Sequence, residues 1–145
     1  VDSSLNESFI RTGYVFDLYD GDTVYYHTDL GYDVWATFLT GRLRDIQAAE
    51  IRPLVTREEG KRAKQGLSDM MEEYALNRHM AKRQFGWEFR IRSLPTDSKW
   101  IDDAQVMKKG KFGRWLIQLL GADDHGQPVN LNDLMVQRGL AQPYK

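Results

Sequence analysis

The stretch Tyr14-Val-Phe-Asp-Leu-Tyr-Asp-Gly-Asp-Thr-Val-Tyr-Tyr-His27 decides how this chain folds. Two runs rich in aromatic and branched residues, Tyr14–Tyr19 and Thr23–His27, flank the step Asp20-Gly21. Such runs suit the pleated surface of a strand, and Asp-Gly is a strong hairpin-turn signal. The stretch predicts an antiparallel hairpin with Asp20 and Asp22 at its bend.

Working outward, Asp29 to Asp33 contains Gly31 and predicts a second turn. Val34–Leu39 reads as a strand, and Arg42–Ile46 either extends it or forms the next; Gly41 between them predicts a bulge or sharp bend. Beyond Pro53, Thr56 is the expected N-cap of a helix, with Glu59 completing a capping box. Ala63, Leu67, Met70, Met71 and Tyr74 form a helical apolar stripe, Gly60 and Gly66 mark close packing, and the helix is expected to end between Asn77 and Lys82. Trp87–Arg92 alternates as a half-buried strand, Ser93–Gly110 is a long connection, and Trp115–Leu120 is a further strand. Asn130 is placed to cap a short helix with Leu134 and Met135 inward, and Gly139 to stop it. Five or more short strands with two or three helices predict an α+β fold, mainly β, built on a five-stranded oligonucleotide-binding-type barrel.

A length of 145 residues fits one domain, expected over 12–145 after a lead-in at 1–11. The absence of Cys excludes disulfides and thiolate metal sites. The three His, at 27, 79 and 125, lack ligand spacing and argue against zinc, leaving a hard cation on carboxylates as the metal the chain can hold. A net charge of -1 gives no global pull on nucleic acid, but positive charge is locally dense over Arg57–Arg92 and Lys108–Arg114. No apolar run reaches membrane-spanning length, and Val1-Asp-Ser-Ser is not a signal segment, so a monomer in the cytoplasm is expected. Trp35, Trp87 and Trp115 lie in predicted strands and are expected in the core, whereas Trp100 lies in the long connection.

Four charged side chains carry the chemistry: Asp22, Arg42, Glu50 and Arg114. Hydrolysing a phosphodiester needs charge neutralised on the phosphate, a water oriented or deprotonated, and a leaving oxygen protonated. A turn aspartate can ligate a divalent cation, a glutamate can handle the water, and two guanidiniums can clamp phosphate. Each residue also has a plainer reading, as a hairpin-tip acid or a surface ion-pair partner. Arg44 reads as an ion-pair residue, and the basic helix set Arg57, Lys61, Arg62 and Lys64 as a solvated face able to guide nucleic acid.

Together Asp20-Gly-Asp-Thr23, Arg42-Leu-Arg-Asp-Ile-Gln-Ala-Ala-Glu50, Lys111-Phe-Gly-Arg114 and the tail Val129-Asn130 … Leu134 … Gly139-Leu-Ala141 give a pattern that resembles the staphylococcal nuclease-like (thermonuclease) family over residues 12–144. The resemblance implies a five-stranded barrel and metal-dependent cleavage of DNA or RNA, single-stranded or locally unpaired. It implies Ca²⁺, with Mg²⁺ or Mn²⁺ as alternatives, at Asp22 and Gln47. It assigns phosphate binding and catalysis to Arg42, Glu50 and Arg114, and substrate contact to Lys111. Tyr144 is a further candidate for stacking near a bound nucleotide.

The chain departs from the family at Gln47-Ala48-Ala49, where an aspartate, a threonine or alanine, and a proline are usual. Gln47 offers an amide oxygen without charge, so weaker metal binding is expected. Asp45 is a possible substitute carboxylate if the strand stays regular. Phe112 stands where a tyrosine is usual. These departures keep open a second reading, a barrel that binds single-stranded nucleic acid or a protein with little or no hydrolysis.

Overall fold

A computed structural model describes residues 10–51, 54–94 and 115–144. The expected hairpin is present: β1 (Ile10–Asp20) pairs antiparallel with β2 (Thr23–Asp29), and Asp20 faces Thr23 across the Gly21-Asp22 turn. β2 pairs with β3 (Trp35–Leu43), β1 with β5 (Trp87–Leu94), and β5 with β6 (Trp115–Ala122), all antiparallel. A parallel pairing of Gly41–Leu43 with Trp115–Ile117 closes the sheet on itself. The order β3-β2-β1-β5-β6 with a parallel β3–β6 seam is the closed five-stranded barrel of the oligonucleotide-binding type. Two short pairings add to it, β7 (Pro128–Asn130) on β6 and β4 (Ile46–Ala48) with β8 (Ala141–Pro143).

Helix α1 (Arg57–Tyr74) connects the β3–β4 corner to β5 and buries Ala63, Leu67, Met70 and Met71, the stripe read from the sequence. Inside the barrel these meet Val15, Val24, Tyr26, Leu43, Phe89, Ile91, Ile117 and Leu119. Helix α2 (Leu131–Gln137) adds Leu131 and Met135. Its cap is as expected: the Asn130 side chain accepts from the N–H groups of Asn132 and Asp133, and Gly139 follows at φ +72. No helix among the described residues is long and apolar enough to cross a membrane.

Four local expectations are corrected. Gly41 is not the bulge; the bulge falls at Phe38 (φ +54), opposite His27, whose Nδ1 accepts the Phe38 N–H at 3.1 Å. Gly41 is needed because a Cβ there would stand 2.5 Å from Ile117 Cδ1 and 2.8 Å from the Tyr26 ring. Thr56 precedes α1 but makes no side-chain cap bond; its hydroxyl donates to the Glu50 carbonyl at 2.7 Å, tying the loop rather than the helix. The helix ends at Tyr74, where Ala75 turns extended and donates to Met71 O, short of the expected Asn77–Lys82. Trp35 lies on the outer face, 36 % exposed, against Tyr14 and Phe85, while Trp87 and Trp115 pack at the margin of the core. A strand has two faces, and membership of a strand alone does not say which one a side chain takes.

The seam of the barrel is held by Asn132, a buried polar residue on α2. Its Nδ2 donates to Arg44 O (3.1 Å) and Ile117 O (3.0 Å), and its Oδ1 accepts from Leu119 N (3.2 Å). An aliphatic side chain here would take a partner from Arg44 O, Ile117 O and Leu119 N, of which Ile117 O keeps its bond from Arg44 N. Asn132→Ala is therefore expected to cost about 3 kcal/mol of unfolding free energy, measured by urea denaturation; a loss within the error of the wild-type curve would show that the seam holds without it.

Candidate active site

The hairpin tip is tucked into the fold. A Cβ on Gly21 would come 2.7 Å from Ala63 Cβ on α1 and 3.0 Å from Ala48 Cβ on β4, so only glycine lets the tip sit between them. This close approach fixes Asp22, which is 7 % exposed. Its Oδ2 accepts from Ala48 N and its Oδ1 from the Thr23 hydroxyl, both at 3.0 Å, while its carbonyl accepts from Leu43 N at 2.8 Å. Arg42 faces Thr23 in the β2–β3 register, and its Nη2 stands 3.9 Å from Asp22 Oδ2. At this distance the contact is an ion pair without a hydrogen bond.

Glu50 follows β4 on an exposed corner. Its backbone is pinned by Thr56 and by Gly60 of α1, where a Cβ would be 2.6 Å from the Glu50 carbonyl. Asp20 completes an acidic group. Burial, then the charges of Asp22 and Glu50, push its carboxyl above the usual 3.8, against the opposing Ile51 N–H and Lys64 charge. Asp20, Asp22 and Glu50 therefore feel one another, with Arg42 and Lys64 as the nearby cations. An oxygen-only carboxylate set suits a hard cation. Among the described residues, however, no group of three or more His, Cys, Asp or Glu side chains is arranged to hold a metal.

Gln47 lies at the middle of β4, exposed between the buried Ile46 and Ala48, and its side chain lines a shallow hollow with Glu59, Arg62 and Gln142. Asp45 sits in the preceding turn at φ +67, paired with Arg44 at 3.5 Å, so the strand is not regular between Asp45 and Gln47. The Arg44 ion pair is as read from the sequence. Tyr144 donates its N–H to Asp45 O, and its ring lies 5.0 Å from the Arg42 guanidinium. That cation–π contact gives Arg42 a second neighbour besides Asp22. Arg114, Lys111, Phe112 and Trp100 lie outside the described residues; Trp115, the first described residue after Arg114, registers with Gly41, the neighbour of Arg42.

Sequence reading did not give Asp20 and Lys64 a part at the site. Asp20 shares the turn with Asp22, and that adjacency was the available signal; Lys64 is some forty positions away and is brought in by α1. Because the Asp20 pKa is raised, the native state takes up its proton before the unfolded chain does. Stability tied to this group is fully present below 3.8 and is lost as pH rises through the higher native value. Asp20→Asn, which keeps an acceptor for Ile51 N, is expected to raise Tm at pH 7 by about 1–2 °C after solvent screening. The gain should vanish near pH 3.5; a gain that persists there would mean that charge crowding is not its source.

The fold resembles nuclease-type barrels of the oligonucleotide-binding class. In comparisons with known proteins, no family model matched the chain and no match was found among curated proteins.

Proposed function

We propose that the protein is a metal-dependent phosphodiester hydrolase acting on DNA or RNA. The observation that carries this reading is the pairing of the buried Asp22 carboxylate with Arg42 at the tip of the hairpin, with Asp20 and Glu50 alongside. Asp22 would hold the cation, with the Gln47 amide oxygen as the expected second donor. A bound divalent cation, Ca²⁺ or else Mg²⁺ or Mn²⁺, supplies polarisation of the phosphate and acidification of a water. Glu50, exposed and anchored through its backbone, orients or deprotonates the attacking water. Arg42 neutralises the phosphate as charge builds, and Arg114 has the matching role on the leaving side.

A second reading, a nucleic-acid-binding barrel without hydrolysis, is favoured by Gln47, an uncharged residue that lines a hollow with Glu59 and Arg62. One assay separates the two. Single-stranded DNA and RNA are incubated with Ca²⁺, Mg²⁺, Mn²⁺ or chelator. Hydrolysis that stops in chelator, and that falls about 10²–10³-fold in Arg42→Ala, is the expected result. Cleavage unchanged in both Arg42→Ala and Arg114→Ala would remove the assigned site, and no cleavage with any cation by folded protein would put the binding barrel first. Gln47→Asp is expected to lower the Ca²⁺ concentration for half-maximal cleavage about tenfold, as roughly 1.4 kcal/mol of added attraction would; an unchanged Ca²⁺ titration would exclude Gln47 from the cation.

A further inference from the structure

The turn between β2 and β3 forms a preshaped apolar tip. Leu30 N donates to Val34 O and Val34 N to Gly31 O, both at 2.9 Å, and the Asp29 carboxylate accepts Gly31 N at 2.8 Å. Gly31, Tyr32 and Asp33 all take the left-handed conformation, at φ +88, +56 and +60. Glycine and aspartate suit that conformation; for a bulky residue it is costly, and asparagine would serve the turn better. Tyr32 nonetheless stands there, fully exposed, between the exposed Leu30 and Val34. A ring that is fully exposed adds no packing to its own chain, so the fold does not explain it.

Beside the tip lies a hollow of about 720 Å³. Tyr14, Met80 and Phe85 give it an apolar lining, and Lys82, Arg83 and Glu88 its charges. Met80 and Phe85 are open to water, 59 % and 44 % exposed. Asn77 holds the segment that carries them, donating to Gly86 O at 3.0 Å and accepting Glu88 N at 2.9 Å. Trp35 joins the tip to the hollow. It pairs with Asp29 at the start of β3 and stands 5.7 Å from the Tyr14 ring and 5.3 Å from the Phe85 ring.

Area and charge both point to a second copy of this chain as the cover for this surface. Leu30, Tyr32, Val34, Trp35, Met80 and Phe85 together expose on the order of 600 Å². That is at the top of the range for the largest patch on a monomer, and with a charged rim it approaches the roughly 800 Å² that each partner gives to a standard interface. The tip, 29–34, carries Asp29 and Asp33 and no base, whereas the hollow has two bases and one acid. The tip of one copy therefore matches the hollow of another in charge as well as in polarity. Because tip and hollow flank Trp35, a two-fold axis near that ring makes both contacts at once.

We propose that the protein forms a two-fold dimer in which the β2–β3 tip of each copy enters the hollow of the other, with Tyr32 seated on Met80 and Phe85 and Asp33 facing Lys82. Glu88 supplies an acceptor for the Tyr32 hydroxyl. A dimer replaces the monomer expected from the sequence. It goes beyond the hydrolase reading and does not rest on it: the tip follows β2 and Asp22 precedes it, so the candidate site lies at the other end of the strand.

The test is sedimentation equilibrium of the full chain from about 1 µM to about 1 mM, the range of ordinary affinities. The mass is expected to rise from 16.9 kDa to twice that value. Tyr32→Asn, which suits the left-handed backbone, should weaken dimerisation at least about thirtyfold, as loss of a central aromatic anchor does. Lys82→Glu and Asp33→Lys should each weaken it about tenfold, and the two together in one chain should restore it, because the pair is then reversed rather than removed. Folding is checked by thermal melting; Tyr32→Asn and Lys82→Glu alter exposed side chains and carry the test if Asp33→Lys does not fold. A wild type that stays monomeric throughout overturns the proposal and leaves the patch to a different protein. A dimer that every folded variant forms as the wild type does overturns it and puts the interface elsewhere. Mass that grows past the dimer overturns the two-fold closure, since a tip-in-hollow contact that does not close makes open chains. Single variants that lose the dimer while the double variant fails to regain it overturn the pairing of Asp33 with Lys82.

Discussion

The parallel seam between β3 and β6 is the contact on which the rest of the molecule depends. Among the described residues Gly41–Leu43 and Trp115–Ile117 form it, and three residues of ladder are a weak closure on their own. Asn132 reinforces it from α2 by bonding to Ile117 and Leu119 of β6 and to Arg44, the residue that follows β3, and Arg44 N adds a bond to Ile117 O at 2.9 Å. Closure converts an open sheet with exposed edges into a barrel, and it fixes where β3 leaves the sheet. The corner that follows carries Asp45, β4 and Glu50, so the position of the candidate site is set by the seam.

Packing at that corner is relayed through glycine. Gly21 lets the hairpin tip reach α1 and β4, and Gly60 lets α1 reach the Glu50 backbone. Each removes one Cβ from a place where another chain segment already lies. In consequence Asp22 is buried against Ala48 N while Glu50 stays at the surface, two carboxylates with different surroundings a short way apart. Bonds from Ala48 N and the Thr23 hydroxyl hold the first in place, and exposure of the second leaves room for water. The strained electrostatics appear on Asp20, which is crowded by both.

Much of this was legible along the chain. The β1–β2 hairpin, the α1 stripe and the Asn130 cap follow from short-range rules, because turn chemistry, helical period and capping act within a few residues. A shared site for Asp22 and Arg42 was expected from the family resemblance and not from any local rule. What failed did so at longer range. Thr56 looked like a cap but found a better acceptor in Glu50 O; Gly41 looked like a bend but answers Ile117 and Tyr26 across the barrel; Trp35 looked like core but faces outward.

The amino-acid order by itself determined the five barrel strands, the two helices and the acidic hairpin tip, since each is specified by neighbours within one turn or one strand of it, but not the short β7 and β8. The tertiary structure alone decided which strand faces look inward, that Lys64 and Asp20 share a field, that Gln47 lines a hollow with Glu59 and Arg62, and that a groove lies between β1 and α1. These depend on closure of the barrel and on how closely α1 can approach it. That approach is set by contacts between residues far apart in the chain, which no local pattern records.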